Sequence, residues 1–356
     1  MRVVQLLPEL NEGGVERGVV ELNRELVKRG IESFVISRGG RLVERIEKEG
    51  GKHIAFDVCS KNPLIAPYRI AQLKTIFQKI KPDIIHARSR VPAWLSYFAK
   101  RDTPFVTTVH GFNSVNAYSA IMTKGDRIIC VSNPVKEYIL KNYRIDESKV
   151  QVIHRGVDFS NFDLNRIDQK FIEEFKNKYN LHNRFIVTSV GRITQLKDYE
   201  TFIEAIAIVK KQKPDIAGLI VGGVREDKKE YFKRLQELMK ALKLDKNIIF
   251  TGSISKIAEI YALSDVVVSS SKKPESFGRS IVEAMAMNTP VVASNHGGAL
   301  DLIKDGYGEL FEVGDAKDLA QKIEKVEQKD FVEYVKKHFS LTQMVEKTLA
   351  VYRELL

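Results

Sequence analysis

The sequence predicts two α/β halves in series, each a doubly wound parallel sheet. Short β-branched runs alternate with helical patterns along the whole chain, the signature of parallel strands joined by crossover helices. At 356 residues the chain is long enough for two hydrophobic cores. A polar, charged stretch also separates the strand-like runs into two groups.

The first group comprises RVVQLL, SFVIS, HIAFDV, DIIHA, FVTTVH, RIICVS and VQVIH, and the second FIVTSVG, GLIVGG, NIIFTG, DVVVSSS and PVVASN. Between them, residues 158–183 are poor in β-branched residues and read as a linker with a short helix. The sequence closes in a helical pattern, FVEYVKKHFSLTQMVEKTLAVYRELL, which suits either half. Sheets of this kind bind ligands outside the carboxyl ends of their strands, so two facing each other are expected to place a site between them.

Composition narrows the function classes. No apolar run approaches the roughly 18 residues of a membrane span. MRVVQLLP enters a strand-like run at once, without the pattern of a secretory signal, so an intracellular protein is expected. Two cysteines, Cys59 and Cys130, lack metal-site spacing and fit a reducing compartment. The formal net charge is +11, and residues 1–165 hold 26 Lys and Arg against 18 Asp and Glu. Arg69, Lys74, Lys79, Lys81, Arg88, Arg90, Lys100 and Arg101 read as a basic surface that attracts nucleotides, nucleic acid or acidic headgroups, or merely as a solvated face.

The chemistry-bearing stretches follow strands. In SVGRITQLKDYETFIEA, residues 189–205, Gly191, Arg192 and Lys197 lie on the turn at a strand's carboxyl end. A guanidinium grips two phosphate oxygens and a lysine adds a mobile charge, which together suit a diphosphate. PESFGRSIVEAMA, residues 274–286, places Glu275 in a loop and Glu283 inside the following helix. The amides near Phe277 and Gly278 lie at that helix's N-terminus, and carboxylates there accept from sugar hydroxyls. Taken alone, Glu275 also reads as a helix-capping acid and Glu283 as an i,i+4 surface partner. Gly13 and Gly14 form a turn into a helix whose N-terminus favours anions. Their spacing with Gly18 does not match G-x-G-x-x-G. His110 ends a strand where it can meet a substrate hydroxyl, whereas His86 reads as structural. Gly222-Gly223 and Gly297-Gly298 also follow strands. No nucleophile elbow, P-loop or metal-ligand spacing is present.

The ordered set Gly13-Gly14, His110-Gly111, Arg192 with Lys197, Glu275-x7-Glu283 and Gly297-Gly298 resembles the retaining glycosyltransferases of GT-B architecture, family four. The fit runs from residue 2 to about 315. The resemblance implies an N-terminal Rossmann-like acceptor domain over residues 1–160 and a nucleotide-sugar domain over 161–339, facing a central cleft, with the helix at 340–356 returning to the first domain. It implies that Arg192 and Lys197 neutralise the donor diphosphate, Glu283 accepts from the ribose, and Glu275 holds the transferred sugar with the amides near Phe277 and Gly278. Gly191 and Gly222 would line the donor, Gly13 and Gly14 would approach its phosphates, and His110 would line the sugar pocket. Arg192, Lys197, Glu275 and His110 are the catalytic candidates.

It further implies a nucleotide-diphosphate-sugar substrate, UDP favoured, with no cofactor and no metal. The acceptor is expected to be a lipid-linked or lipopolysaccharide-type saccharide, because HARSRVPAWLSYF, residues 86–98, resembles cell-envelope members. The basic half would then sit on the anionic inner face of the cytoplasmic membrane, without nucleic-acid binding. IHRGVD at 153–158 departs from the common Pro-Asn-Gly-Val-Asp, and Asp301 stands where Glu is frequent. The competing readings are a nucleotide-sugar epimerase of the same architecture and a basic nucleic-acid binder. The latter would need an aromatic interleaving that the sequence lacks.

Overall fold

The structure, a computed structural model, describes residues 1–11 and 13–356. It divides into two compact units, Met1–Arg155 with Leu341–Leu356, and Gly156–Ser340. The sequence set the division at residue 160. In the structure the second unit closes on its own ends: the Val157 amide donates to the Phe339 carbonyl at 2.8 Å, and Val157 bridges Ser340.

The first unit contains strands β1 (Arg2–Leu6), β2 (Glu32–Ser37), β3 (Lys52–Ala55), β4 (Ile84–Ala87), β5 (Phe105–Val109), β6 (Arg127–Cys130) and β7 (Val150–Val152). They form one seven-stranded sheet in the order β3-β2-β1-β4-β5-β6-β7, every pair parallel. A parallel sheet is covered on both faces, so its strands read as unbroken apolar runs. Successive residues divide between two cores. Val4, Ile85 and Ile128 join Leu73 and Phe77, while Val3, Ile84 and Ile129 join Leu22, Val345, Leu349 and Tyr352. The second core is how the closing helix, Leu341–Arg353, belongs to this unit. Each large apolar side chain it buries contributes about 1.5–3 kcal/mol.

One polar chain pins that helix. His86 is fully buried, with Nδ1 2.6 Å from the Tyr352 hydroxyl and Nε2 2.6 Å from Thr108 Oγ1. Burial pushes its pKa well below the ordinary range, and Arg88 and Arg155 add to the effect. Both ring nitrogens are thus engaged inside the fold.

The second unit contains β8 (Ile186–Val190), β9 (Ala217–Val221), β10 (Ile248–Gly252), β11 (Val266–Ser269), β12 (Val291–Ser294) and β13 (Glu309–Phe311), in the order β10-β9-β8-β11-β12-β13 and again parallel. Eleven residues of the polar connecting stretch form the helix Gln169–Tyr179. The sequence reading missed β13. It is three residues long and follows Gly306-Tyr307-Gly308, so its pattern is too short to stand out.

In both sheets the order reverses once, at β1/β4 and at β8/β11. The loops leaving these strands diverge there and open a crevice at the sheet's carboxyl edge. The predicted site residues cluster on such loops.

Candidate active site

At the β8/β11 switch point the loop after β8 meets the loop after β11. Lys197 Nζ donates to Glu275 Oε1 at 2.6 Å, 78 residues apart in sequence. Ser271 Oγ donates to the same carboxylate oxygen, and Ser269 Oγ lies 3.4 Å from it. Burial alone would raise the Glu275 pKa. The Lys197 charge and hydrogen bond, with the two serines, outweigh it and hold the carboxyl below its ordinary value. Glu275 is therefore ionised at neutral pH. The carboxylate fixes the Lys197 ammonium where the two loops meet.

The lysine's loop is built to hold this position. Ser270 Oγ donates to the carbonyls of Lys197 and Asp198, and the Lys272 amide donates to Leu196. Tyr199, fully buried, donates its hydroxyl to the Gly191 carbonyl at 2.6 Å. Gly222 lets β9's exit loop approach, since a Cβ there would lie 1.8 Å from the Gly191 oxygen. Arg192, on the same loop, is exposed and has no ion pair among the described residues. A guanidinium on the same loop as a fixed ammonium is a ready receiver for an anion.

The Glu275 loop has its own support. Gly298 N donates to the Glu275 carbonyl at 2.8 Å. A Cβ on Gly298 would lie 2.3 Å from the Phe277 backbone, and one on Gly297 would lie 2.5 Å from the Glu275 carbonyl. The glycine pair is needed for loop-to-loop packing as well as for a turn. The Phe277 ring is buried against the core near Phe339, which leaves only its backbone to face a ligand. Gly278, at φ +99°, caps the helix Arg279–Ala286 in the left-handed region that favours glycine. Glu283 lies within that helix, largely buried, with the Tyr261 hydroxyl at 3.3 Å and Arg279 at 3.4 Å. It therefore does have the i,i+4 partner the plainer reading expected, but below the surface.

The first unit brings its predicted residues to its own carboxyl edge. Gly13 caps the helix Gly14–Lys28, and nothing lies near a Cβ on Gly14. His110 follows β5, with Nδ1 2.9 Å from Arg155 Nη2. Burial, then Arg155, Arg88 and His86, push its pKa well below the usual value, so the ring is neutral. Nδ1 accepts from the guanidinium, which places the proton on Nε2. That Nε2–H is buried and has no hydrogen-bond partner among the described residues. Arg155, singled out in the sequence only as a departure, thus sets the tautomer of a candidate residue.

The supporting serines Ser269, Ser270 and Ser271 were also missed; a triple serine at a strand's exit was their only signal. The basic-surface reading needs a correction. Arg69 is buried and donates to the carbonyls of Asp57 and Ser60, and Arg88 is buried at the end of β4. Neither belongs to a solvated patch.

Comparison with known proteins defines the class. The family model described as Glycosyltransferase Family 4 matches residues 12–161, and that described as Glycosyl transferases group 1 matches residues 171–339. A glycosyltransferase from Rickettsia africae, known from its crystal structure, is 36% identical, with 99% of this chain and 98% of that chain covered and a TM-score of 0.92. The chain belongs to the group 1, family 4 glycosyltransferases, and its two Rossmann-like halves are those of the GT-B fold. It is also similar to the capsular polysaccharide biosynthesis glycosyltransferase CapM of Staphylococcus aureus, 24% identical over 335 residues, 87% of this chain and 83% of the relative. In fold it matches HepE of Anabaena, solved with UDP and glucose, at 21% identity, 99% and 100% coverage and a TM-score of 0.85.

Proposed function

We propose that the protein transfers a sugar, with retention of configuration, from a nucleotide-diphosphate donor to a saccharide acceptor that is lipid-linked or of lipopolysaccharide type. The observation that carries this reading is the Lys197–Glu275 pair at the β8/β11 switch point, with exposed Arg192 on the same loop. One loop offers cations to a diphosphate and the other a carboxylate to hydroxyls. UDP is the favoured nucleotide, in keeping with the UDP-bound fold relative. The saccharide acceptor accords with CapM's role in capsular polysaccharide synthesis.

In this mechanism Arg192 and Lys197 lie on the diphosphate, Glu275 accepts from the transferred sugar and Glu283 from the ribose, exchanging part of its contact with Arg279. Gly191 and Gly222 leave room for the donor beside β8. The bond from the sugar's anomeric carbon to the diphosphate oxygen breaks, and charge grows on that oxygen where the two cations stabilise it. The acceptor hydroxyl forms the new bond on the same face and passes its proton to the departing phosphate. The account assigns the leaving group's charge to protein cations rather than to a metal ion, and needs no cofactor.

Melting temperatures with UDP-, GDP-, ADP- and TDP-sugars test the reading. A UDP-sugar raises the midpoint selectively. No response to any nucleotide sugar from the folded protein would contradict it.

We also propose that the first unit docks on an anionic membrane surface. Residues 51–100 hold nine Lys and Arg against two Asp and Glu. Leu64, Ile65 and Tyr68 are exposed at the start of the helix Ala66–Ile80, near exposed Lys61 and Lys74. Apolar side chains flanked by lysines suit a headgroup layer, each basic residue contributing about 1 kcal/mol. Among the described residues no helix is long and apolar enough to cross a membrane. Sedimentation with phosphatidylglycerol vesicles is expected to weaken with salt and with Leu64→Ser/Tyr68→Ser. Binding insensitive to both would count against the docking.

A further inference from the structure

We propose that the first unit holds an oxyanion site at the carboxyl ends of β4 and β7, built by Arg88 and Arg155, which receives a phosphate or carboxylate carried by the acceptor. The inference rests on reading this unit as the acceptor side.

The crevice is lined by Arg88, Thr108 and Arg155 over an apolar floor that includes Leu22, Ile129 and Met344, with about 280 Å³ of unfilled space counting the solvent at its mouth. None of its lining residues is acidic. Glu21 attracts Arg88 but does not line the crevice. Arg88 is 5% exposed and its Nε has no hydrogen-bond partner among the described residues. An N–H in that state has given up water without regaining a hydrogen bond, a cost that folding alone does not repay. A bound oxyanion repays it, because the planar fork matches two oxygens at once. Burial lowers the Arg88 pKa to about 10, which leaves the group charged at neutral pH.

The surroundings are shaped for the second arginine. A Cβ on Gly18 would lie 1.8 Å from Arg155 Nη1, so the absence of a side chain there gives the guanidinium its place. Arg155 also donates through Nη2 to His110 Nδ1. The His110 Nε2–H left over is a further buried donor in need of an acceptor. Thr108 is fixed by its contact with His86, so it forms a rigid wall. A purely structural arginine would be expected to face carboxylates or carbonyls, whereas among the described residues the Arg88 Nε has neither as a partner.

The test is calorimetric titration of the full-length protein, saturated with UDP so that the donor cations are occupied. The probes are inorganic phosphate, glucose 1-phosphate, glucuronate and methyl glucoside. The proposal expects glucose 1-phosphate or glucuronate to bind and methyl glucoside not to. The first binding alone identifies a phosphate, and the second alone a carboxylate. Arg88→Gln is expected to weaken that binding roughly tenfold to a hundredfold, the value of a charged hydrogen bond, and to leave UDP affinity unchanged. Gly18→Ala, which displaces the far end of a flexible side chain, is expected to act in the same direction and decides the matter if Arg88→Gln does not fold. If neither anion binds, or if both variants bind as wild type does, the site is overturned. Normal UDP binding in that case leaves the functional reading standing, and its loss removes both.

Discussion

Lys197→Ala is expected to lower kcat by roughly 10² to 10³ at saturating donor, the usual consequence of removing one group that meets developing negative charge. The expectation follows from position. Lys197 is held at 2.6 Å from Glu275 by a loop that Ser270 ties down through two carbonyls. That loop leaves β8 at the sheet's switch point. The fold should survive the change, because Glu275 keeps Ser269 and Ser271. Initial rates with a UDP-sugar read the effect. Undiminished turnover would remove the lysine from the phosphate.

Gly298→Val is expected to damage both stability and donor binding. Its Cβ would meet the Phe277 Cα and carbonyl oxygen at 2.3 Å, and backbone cannot swing aside as a side-chain end does. Overpacking of this kind costs about 1–3 kcal/mol, and the loop that must move carries Glu275. Gly14→Ala is the control for stability, since nothing lies within 4 Å of the added carbon. Denaturant midpoints of the two variants, with a UDP titration of Gly298→Val against the wild type, check the contrast. Wild-type behaviour of Gly298→Val would mean the loops are not packed as described.

The features legible in the sequence were those written in local pattern. All seven strands of the first sheet are visible as β-branched runs, the inner ones because both faces are buried; the edge strand β3 shows through its pattern although none of its residues is buried. The loops carrying Lys197 and Glu275 could be placed because each follows such a run. Partnership across 78 residues has no local signature: nothing in SSSKKPES says that its serines and glutamate close around the lysine of TQLKD. The fate of arginines was equally hidden. Arg69, Arg88 and Arg155 look alike in sequence, yet one staples a loop, one lies buried with its Nε unpaired, and one fixes the tautomer of His110. His86 could be read as structural, but its tie to Tyr352, 266 residues away, needed the fold.

The central claim is that the donor's diphosphate is held by the cations at the β8/β11 switch point. Calorimetric titration of UDP into the wild-type protein and into Lys197→Ala tests it most directly. The account predicts saturable binding to the wild type that weakens roughly tenfold or more in the variant, as loss of a charged hydrogen bond requires. Equal affinity in both proteins, or no binding to the wild type, would contradict it.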